Sequence, residues 1–179
     1  MAEGQKPKVS VVFKVKESVV KTSLLALATA FEMVSKHAPE LKAEVAGWKD
    51  GQTFSLGIFP NGPFITLKKV GDAIRYMGKG IIDSDCVIYF KNLDGALMPF
   101  TGQMGSHMAF VEHRAFLHGN LGEAMQASRA MCIVQTYLMP GLVFKTIFKW
   151  PPKMNVSQLL LKGRVMGLLG VGLVKNMFK

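Results

Sequence analysis

Three histidines, His107, His113 and His118, fall within twelve residues of one another, with Glu112 among them. These are the residue types of a zinc or other transition-metal site. Binding would require them to converge, and the spacing works against it. In a strand over residues 114–118, His113 and His118 stand roughly 15 Å apart at ~3.3 Å per residue. The two cysteines, Cys86 and Cys132, stand alone, with no histidine or second cysteine beside them, and read as buried thiols in a reducing cytoplasm. No Gly-x-Ser-x-Gly elbow, Walker loop, His-Glu-x-x-His or paired Cys-x-x-Cys occurs. The chain therefore reads as having no catalytic residue, no metal and no cofactor.

What it has in quantity is apolar surface. Of 179 residues, 49% are hydrophobic and 19% charged, which is apolar for a soluble chain and too charged for a multi-span membrane protein. The length suits one domain, able to bury roughly 70% of its unfolded surface. Twelve methionines and twelve phenylalanines supply core, and methionine also makes an adaptable wall for greasy ligands. Residues 23–31, SLLALATAF, have the composition of a signal-peptide core, but twenty-two residues precede them, so they are expected to be helix interior.

Charge is distributed unevenly. The net charge is +10, the last acidic residue is Glu123, and eight lysines and arginines follow it. A basic segment without acids suits an anionic surface, phospholipid or nucleic acid. Phe144, Phe148 and Trp150 could stack bases, but the tail is otherwise mostly Leu, Val, Met and Gly, which suit lipid better than nucleic acid.

The elements that would carry this chemistry can be placed. Residues 9–15 alternate loosely and suggest a strand. Ser18 or Thr22 could then cap a helix to about His37, with Leu24, Leu27, Ala28, Phe31 and Val34 on one face, and Pro39 ends it. Residues 40–46 add a further turn or two. A strand over 53–59, the hairpin signal Pro60-Asn61-Gly62-Pro63 and a strand Phe64–Val70 follow, then a turn at Gly71-Asp72 and a strand over 73–77. Residues 85–91 form another strand, Asn92 and Asp94 can cap a helix Leu93–Phe100, and Ser106 can cap a short helix over 106–112. A strand over 114–118 leads through Gly119-Asn120 into a helix Leu121–Leu138. The expected fold is α+β, a five-stranded mixed, mostly antiparallel sheet covered by helices.

The order strand, helix, Thr101-Gly102, Ala109-Phe110, strand, Gly119-Asn120, helix with Ala124-Met125 resembles the sterol-carrier-protein-2 lipid-binding domain family. The resemblance runs through residues 20–140 and is tight over 85–128. Where the family usually has a glycine two or three residues after Ala-Phe, this chain has His113. The resemblance implies a lipid-binding domain over 1–140, with an apolar tunnel between the sheet and helix Leu121–Leu138 for a sterol, fatty acyl chain or isoprenoid. Phe90, Leu97, Phe100, Met104, Phe110, Met125 and Met131 are the candidate wall. It also implies a second reading, an accessory module of an enzyme complex such as quinone or isoprenoid synthesis.

Residues 141–179 extend beyond the part that matches. Residues 142–150 set Lys145 and Lys149 against an apolar side, Pro151-Pro152 interrupts, and 156–179 is apolar almost all round. Its longest uncharged run is half of a membrane span. Lys145, Lys149, Trp150, Arg164 and Lys175 are the candidate contacts with an anionic membrane, which would make the protein cytoplasmic and peripherally associated. Covering the tunnel mouth and pairing two chains are the tail's other open roles, so the oligomeric state is left open.

Overall fold

The computed structural model describes residues 10–79, 84–139 and 154–177, with only the backbone of 171, 173 and 175–177. Helix α1 (Val11–His37) carries Val20, Leu24, Leu27, Ala28, Phe31 and Val34 at three- and four-residue spacing, all buried. The strand expected over 9–15 is not formed. From Val11 onward those residues are the first turns of α1, and Ser18 and Thr22 lie inside the helix instead of capping it. Phe13 precedes Val20 by seven residues and so shares its helix face. These turns stay exposed and extend the helix outward from its buried face at Val20, despite the β-propensity of Val11, Val12 and Val15. The backbone turns extended at Ala38, and Pro39 occupies the first turn of α2 (Pro39–Ala46), where its missing N–H leaves nothing unpaired. Among the described residues α1 is the one helix long and apolar enough to cross a membrane, and 56% of its apolar window is buried in the fold.

Five strands form one sheet: β1 (Thr53–Ile58), β2 (Phe64–Val70), β3 (Ala73–Lys79), β4 (Cys86–Phe90) and β5 (Ala115–Gly119). The order is β3-β2-β1-β4-β5, antiparallel except for the β1–β4 pair. This is the expected α+β architecture with its mixed, mostly antiparallel sheet. The Asn61-Gly62 hairpin is closed by Gly62 N donating to Ile58 O at 3.0 Å and Ile58 N to Pro63 O at 3.2 Å. Phe54, Leu56 and Ile58 pair with Cys86, Ile88 and Phe90, so these side chains share one face of the sheet. Helices cover that face: α1 packs on β2 and β3, and α5 (Leu121–Leu138) on β4 and β5.

Between β4 and β5 run α3 (Leu93–Phe100) and α4 (Ser106–Val111). Asn92 Oδ1 accepts from Gly95 N at 2.7 Å and caps α3 as expected, while Asp94 pairs with Lys16 of α1. Ser106 does not cap α4. Gly105 holds that position, and the buried Ser106 Oγ donates to Gln135 Oε1 of α5 at 3.0 Å. A buried hydroxyl left without such a partner costs about 1–3 kcal/mol, which decides between the two roles.

His113 keeps the conformation that glycine adopts freely. Its φ is 56°, the one positive φ outside glycine among the described residues. Its N–H donates to Phe110 O and the next amide, of Arg114, to Ala109 O, so the left-handed residue ends α4 and starts the return to β5. Holding a side chain there costs about 1 kcal/mol. His113→Gly is therefore expected to raise Tm by about 2–4 °C, and His113→Val to lower it, in a thermal melt. A lower Tm for the glycine variant would mean that the imidazole itself contributes.

The tail ends in α6 (Val156–Met177), which lies on α1 and α5. Val165 is fully enclosed, and a Cβ on Gly172 would come within 2.3 Å of Thr29 Cγ2. The half-turned-in Lys162 donates to Thr136 O at 2.8 Å. Gln158 Nε2 donates to Glu40 Oε1, and Tyr137 Oη to Glu40 Oε2 at 3.2 Å.

Candidate functional site

The place where α1, α3 and α5 meet is left incompletely filled. Ser23, Ala26 and Leu27 of α1 face Phe100 and Thr101 at the end of α3 and Gln135, Leu138 and Met139 at the end of α5, around a cavity of about 210 Å³. Two small side chains on α1, opposite large ones on its neighbours, create the room. The end of α3 is fixed by Thr101, whose N–H and Oγ1 donate to Leu97 O at 2.8 and 2.7 Å, and by Gly102 at φ 76°. Phe100 is fixed in turn by an edge contact with Phe90, ring centroids 5.4 Å apart.

No charged side chain lines this cavity, so an ion would find no counter-charge in it. Its polar groups are few. Gln135 is buried, and with Oε1 accepting from Ser106 its NH₂ is the group left to donate. An apolar body with one oxygen acceptor is what such a wall can hold. At 210 Å³ the cavity is below the ~300 Å³ at which ordinary ligand pockets begin, room for no more than the end of a long molecule. The contact of Gly172 with Thr29 puts α6 about one helical turn from Ala26 along α1.

The candidate wall residues are distributed as follows. Phe100 lines the cavity, and Phe90 stands behind it as core. Leu97, Met104 and Phe110 are partly buried against the same core, and Met131 is fully buried within it. Met125 does not line this cavity and is 53% exposed. The inward face of α5 runs through Ala124, Ala127, Ala130, Met131 and Val134, and Met125 falls 100° around the helix from Ala124. The residues that sequence reasoning missed are Ser23, Ala26, Leu27, Thr101, Gln135, Leu138 and Met139. Gln135, a lone amide inside an apolar stripe, was the available signal.

His107 and His118 are exposed on α4 and β5, and no group of three His, Cys, Asp or Glu among the described residues is arranged to hold a metal. Burial pushes the Cys86 thiol up to about 11, helped by Glu123 and Asp85, and burial raises Cys132 as well. Both stay protonated near neutrality, the unreactive form. Of the tail candidates, Arg164 is exposed on α6. Lys145, Lys149, Trp150 and the side chain of Lys175 lie outside the described residues.

The outward face of α6 is apolar. Val156, Leu159, Leu160, Met166 and Val174 are all exposed; at 100° per residue Val156, Leu159, Leu160 and Val174 project away from Val165, and Met166 lies to one side. An apolar face this long needs a cover.

No protein-family model matches the sequence, and no curated protein matches it significantly. Solved structures to which the chain is similar include the UbiJ-SCP2 ubiquinone synthesis protein, at 12% identity and a TM-score of 0.40, covering 73% of this chain and 97% of that one. Sterol carrier protein domain 2 of Helicoverpa armigera aligns at 16% identity and a TM-score of 0.40, over 74% of this chain and 94% of its own. Sterol carrier protein 2 from Yarrowia lipolytica, in its apo form, aligns at 14% and 0.38, over 72% and 94%.

Proposed function

We propose that the chain is a non-catalytic lipid-binding protein of the sterol-carrier kind. The cavity between α1, α3 and α5 receives the apolar end of a sterol, fatty acyl chain or isoprenoid, and Gln135 donates to an oxygen on it. The observation that carries this reading is the uncharged wall with a single oriented amide. Each CH₂ taken from water contributes about 0.8 kcal/mol, which gives affinity without a charged partner. The motif order around Thr101-Gly102, Ala109-Phe110 and Gly119-Asn120 supports the same reading, and the protonated thiols support a non-catalytic role. Residues 1–140 form the lipid-binding domain and 141–179 its extension, which docks on anionic membrane in the cytoplasm through the outward face of α6 and its basic residues. The longer part of the ligand enters as α6 shifts from α1.

Native mass spectrometry of gently purified full chain tests this. A bound apolar molecule, released by organic solvent, is the expected result. Protein that carries nothing and, once offered cis-parinaric acid, still shows no adduct would overturn the reading.

A further inference from the structure

A second recess lies on another side of α1, between its first half and the β1–β2 hairpin. It consists of two adjoining hollows of about 340 and 250 Å³ that share Glu17, Asn61, Gly62 and Pro63 as common wall. The larger is flanked by Phe13 and Phe59, which are 48% and 50% exposed, and floored by Ile58 and Leu93. Leu24, Leu25 and Phe64 floor the smaller. From Phe13 to Leu25 the groove follows α1 for roughly 18 Å at 1.5 Å per residue. The hairpin bonds at Ile58 hold its other bank in place, so the groove is preformed.

Three lysines border it, Lys91 at one end and Lys21 and Lys79 at the other, against the single acid Glu17. With Lys21 and Lys91 set against Glu17 alone, the groove carries net positive charge. Two exposed phenylalanine rings beside a concave apolar floor are the kind of anchor surface that binds a protein partner. A bilayer is too flat to fill a concave trough, and a second copy of this chain, at net charge +10, would set like charges against one another.

We propose that this groove docks an extended acidic peptide of a partner protein, with one apolar side chain in each hollow and carboxylates against Lys91 and Lys21. Its length accommodates about five or six residues at ~3.3 Å each, and Asn61 offers a carboxamide to the peptide backbone. The groove shares no residue with the cavity of α1, α3 and α5, so the two readings stand or fall separately.

The test is selection of a phage-displayed random heptapeptide library on the full chain, followed by fluorescence anisotropy with the enriched peptide. Enriched sequences should carry two apolar residues among aspartates and glutamates. Their affinity should fall roughly tenfold or more in Phe59→Ala and in Lys91→Glu, and should weaken as salt rises. Lys42→Glu, an exposed change on α2 outside the groove, should leave it unchanged. Because Phe59 packs on Tyr89 and Phe116, the exposed Lys91→Glu variant separates lost contact from lost folding, and an unchanged circular dichroism melt certifies both. Enrichment of basic or uncharged peptides, or binding indifferent to both changes, would overturn the proposal. So would loss of binding to phosphatidylglycerol vesicles in these variants, which would make the groove a membrane contact instead.

Discussion

Ala26→Trp is expected to weaken binding of cis-parinaric acid by roughly 15- to 200-fold while the protein stays folded. Ala26 faces the cavity from α1, opposite Phe100 and Leu138. An indole there occupies the space that the end of the acyl chain would take. Excluding about two to four methylenes at ~0.8 kcal/mol each forfeits about 1.6–3.2 kcal/mol. The cost to stability is that of overpacking, about 1–3 kcal/mol, and less where the new ring fills space already empty. A circular dichroism melt alongside the titration separates the two effects. Gln135→Leu, which keeps the apolar wall and removes the donor, should discriminate further: fatty acids and sterols lose affinity, and a hydrocarbon of equal length does not. A folded Ala26→Trp protein with unchanged fatty-acid affinity would move the binding site elsewhere.

The double variant Leu160→Asp, Met166→Asp should lose binding to vesicles of phosphatidylcholine and phosphatidylglycerol by at least roughly thirtyfold. Leu160 is 71% exposed and Met166 44%, so neither change removes much packing, and surface substitutions of this kind usually stay within about 0.5 kcal/mol. In a bilayer the same side chains insert, at about 1.5–3 kcal/mol for each fully buried one. Two aspartates also repel the anionic leaflet, against about 1 kcal/mol of attraction per nearby lysine or arginine. Wild-type binding should weaken with salt without vanishing, because insertion is not screened. Vesicle binding that survives the double change would clear α6 of the role. If the wild type sediments as a dimer and the variant as a monomer, the face is a seam between copies.

Much of this architecture was legible. Asn61-Gly62 between apolar runs announced the hairpin, Asn92 before Leu93 announced the start of α3, and Gly119-Asn120 the start of α5, because each rests on chemistry contained within a few residues. The misreadings share a cause. Residues 11–15 carry three valines and a phenylalanine, all exposed, and they are helical only as the leading turns of a helix whose buried face begins at Val20. Ser106 has the chemistry of a cap, but a glutamine twenty-nine residues later claims its hydroxyl. Met125 was selected for its side chain, when the inward face of α5 is marked by alanines. The cavity was the least legible feature. It is made by what Ser23 and Ala26 lack, and absence of bulk becomes a signal only once the facing helices are known.

The parallel β1–β4 pair also governs the order in which the molecule can assemble. Gly57 and Phe64 pair across the hairpin at a separation of seven residues, whereas Phe54 and Cys86 pair at thirty-two. Closing the longer loop costs about 1.3 kcal/mol more chain entropy. Chain entropy alone therefore favours pairing of the β1–β2–β3 meander before β4 and β5 join its edge. Helix α1 touches both halves, packing on β3 on one side and α3 on the other. The apolar cavity has no enclosing wall until that joining is complete. A chain stalled before it would hold a sheet and a long helix and still be unable to retain a lipid.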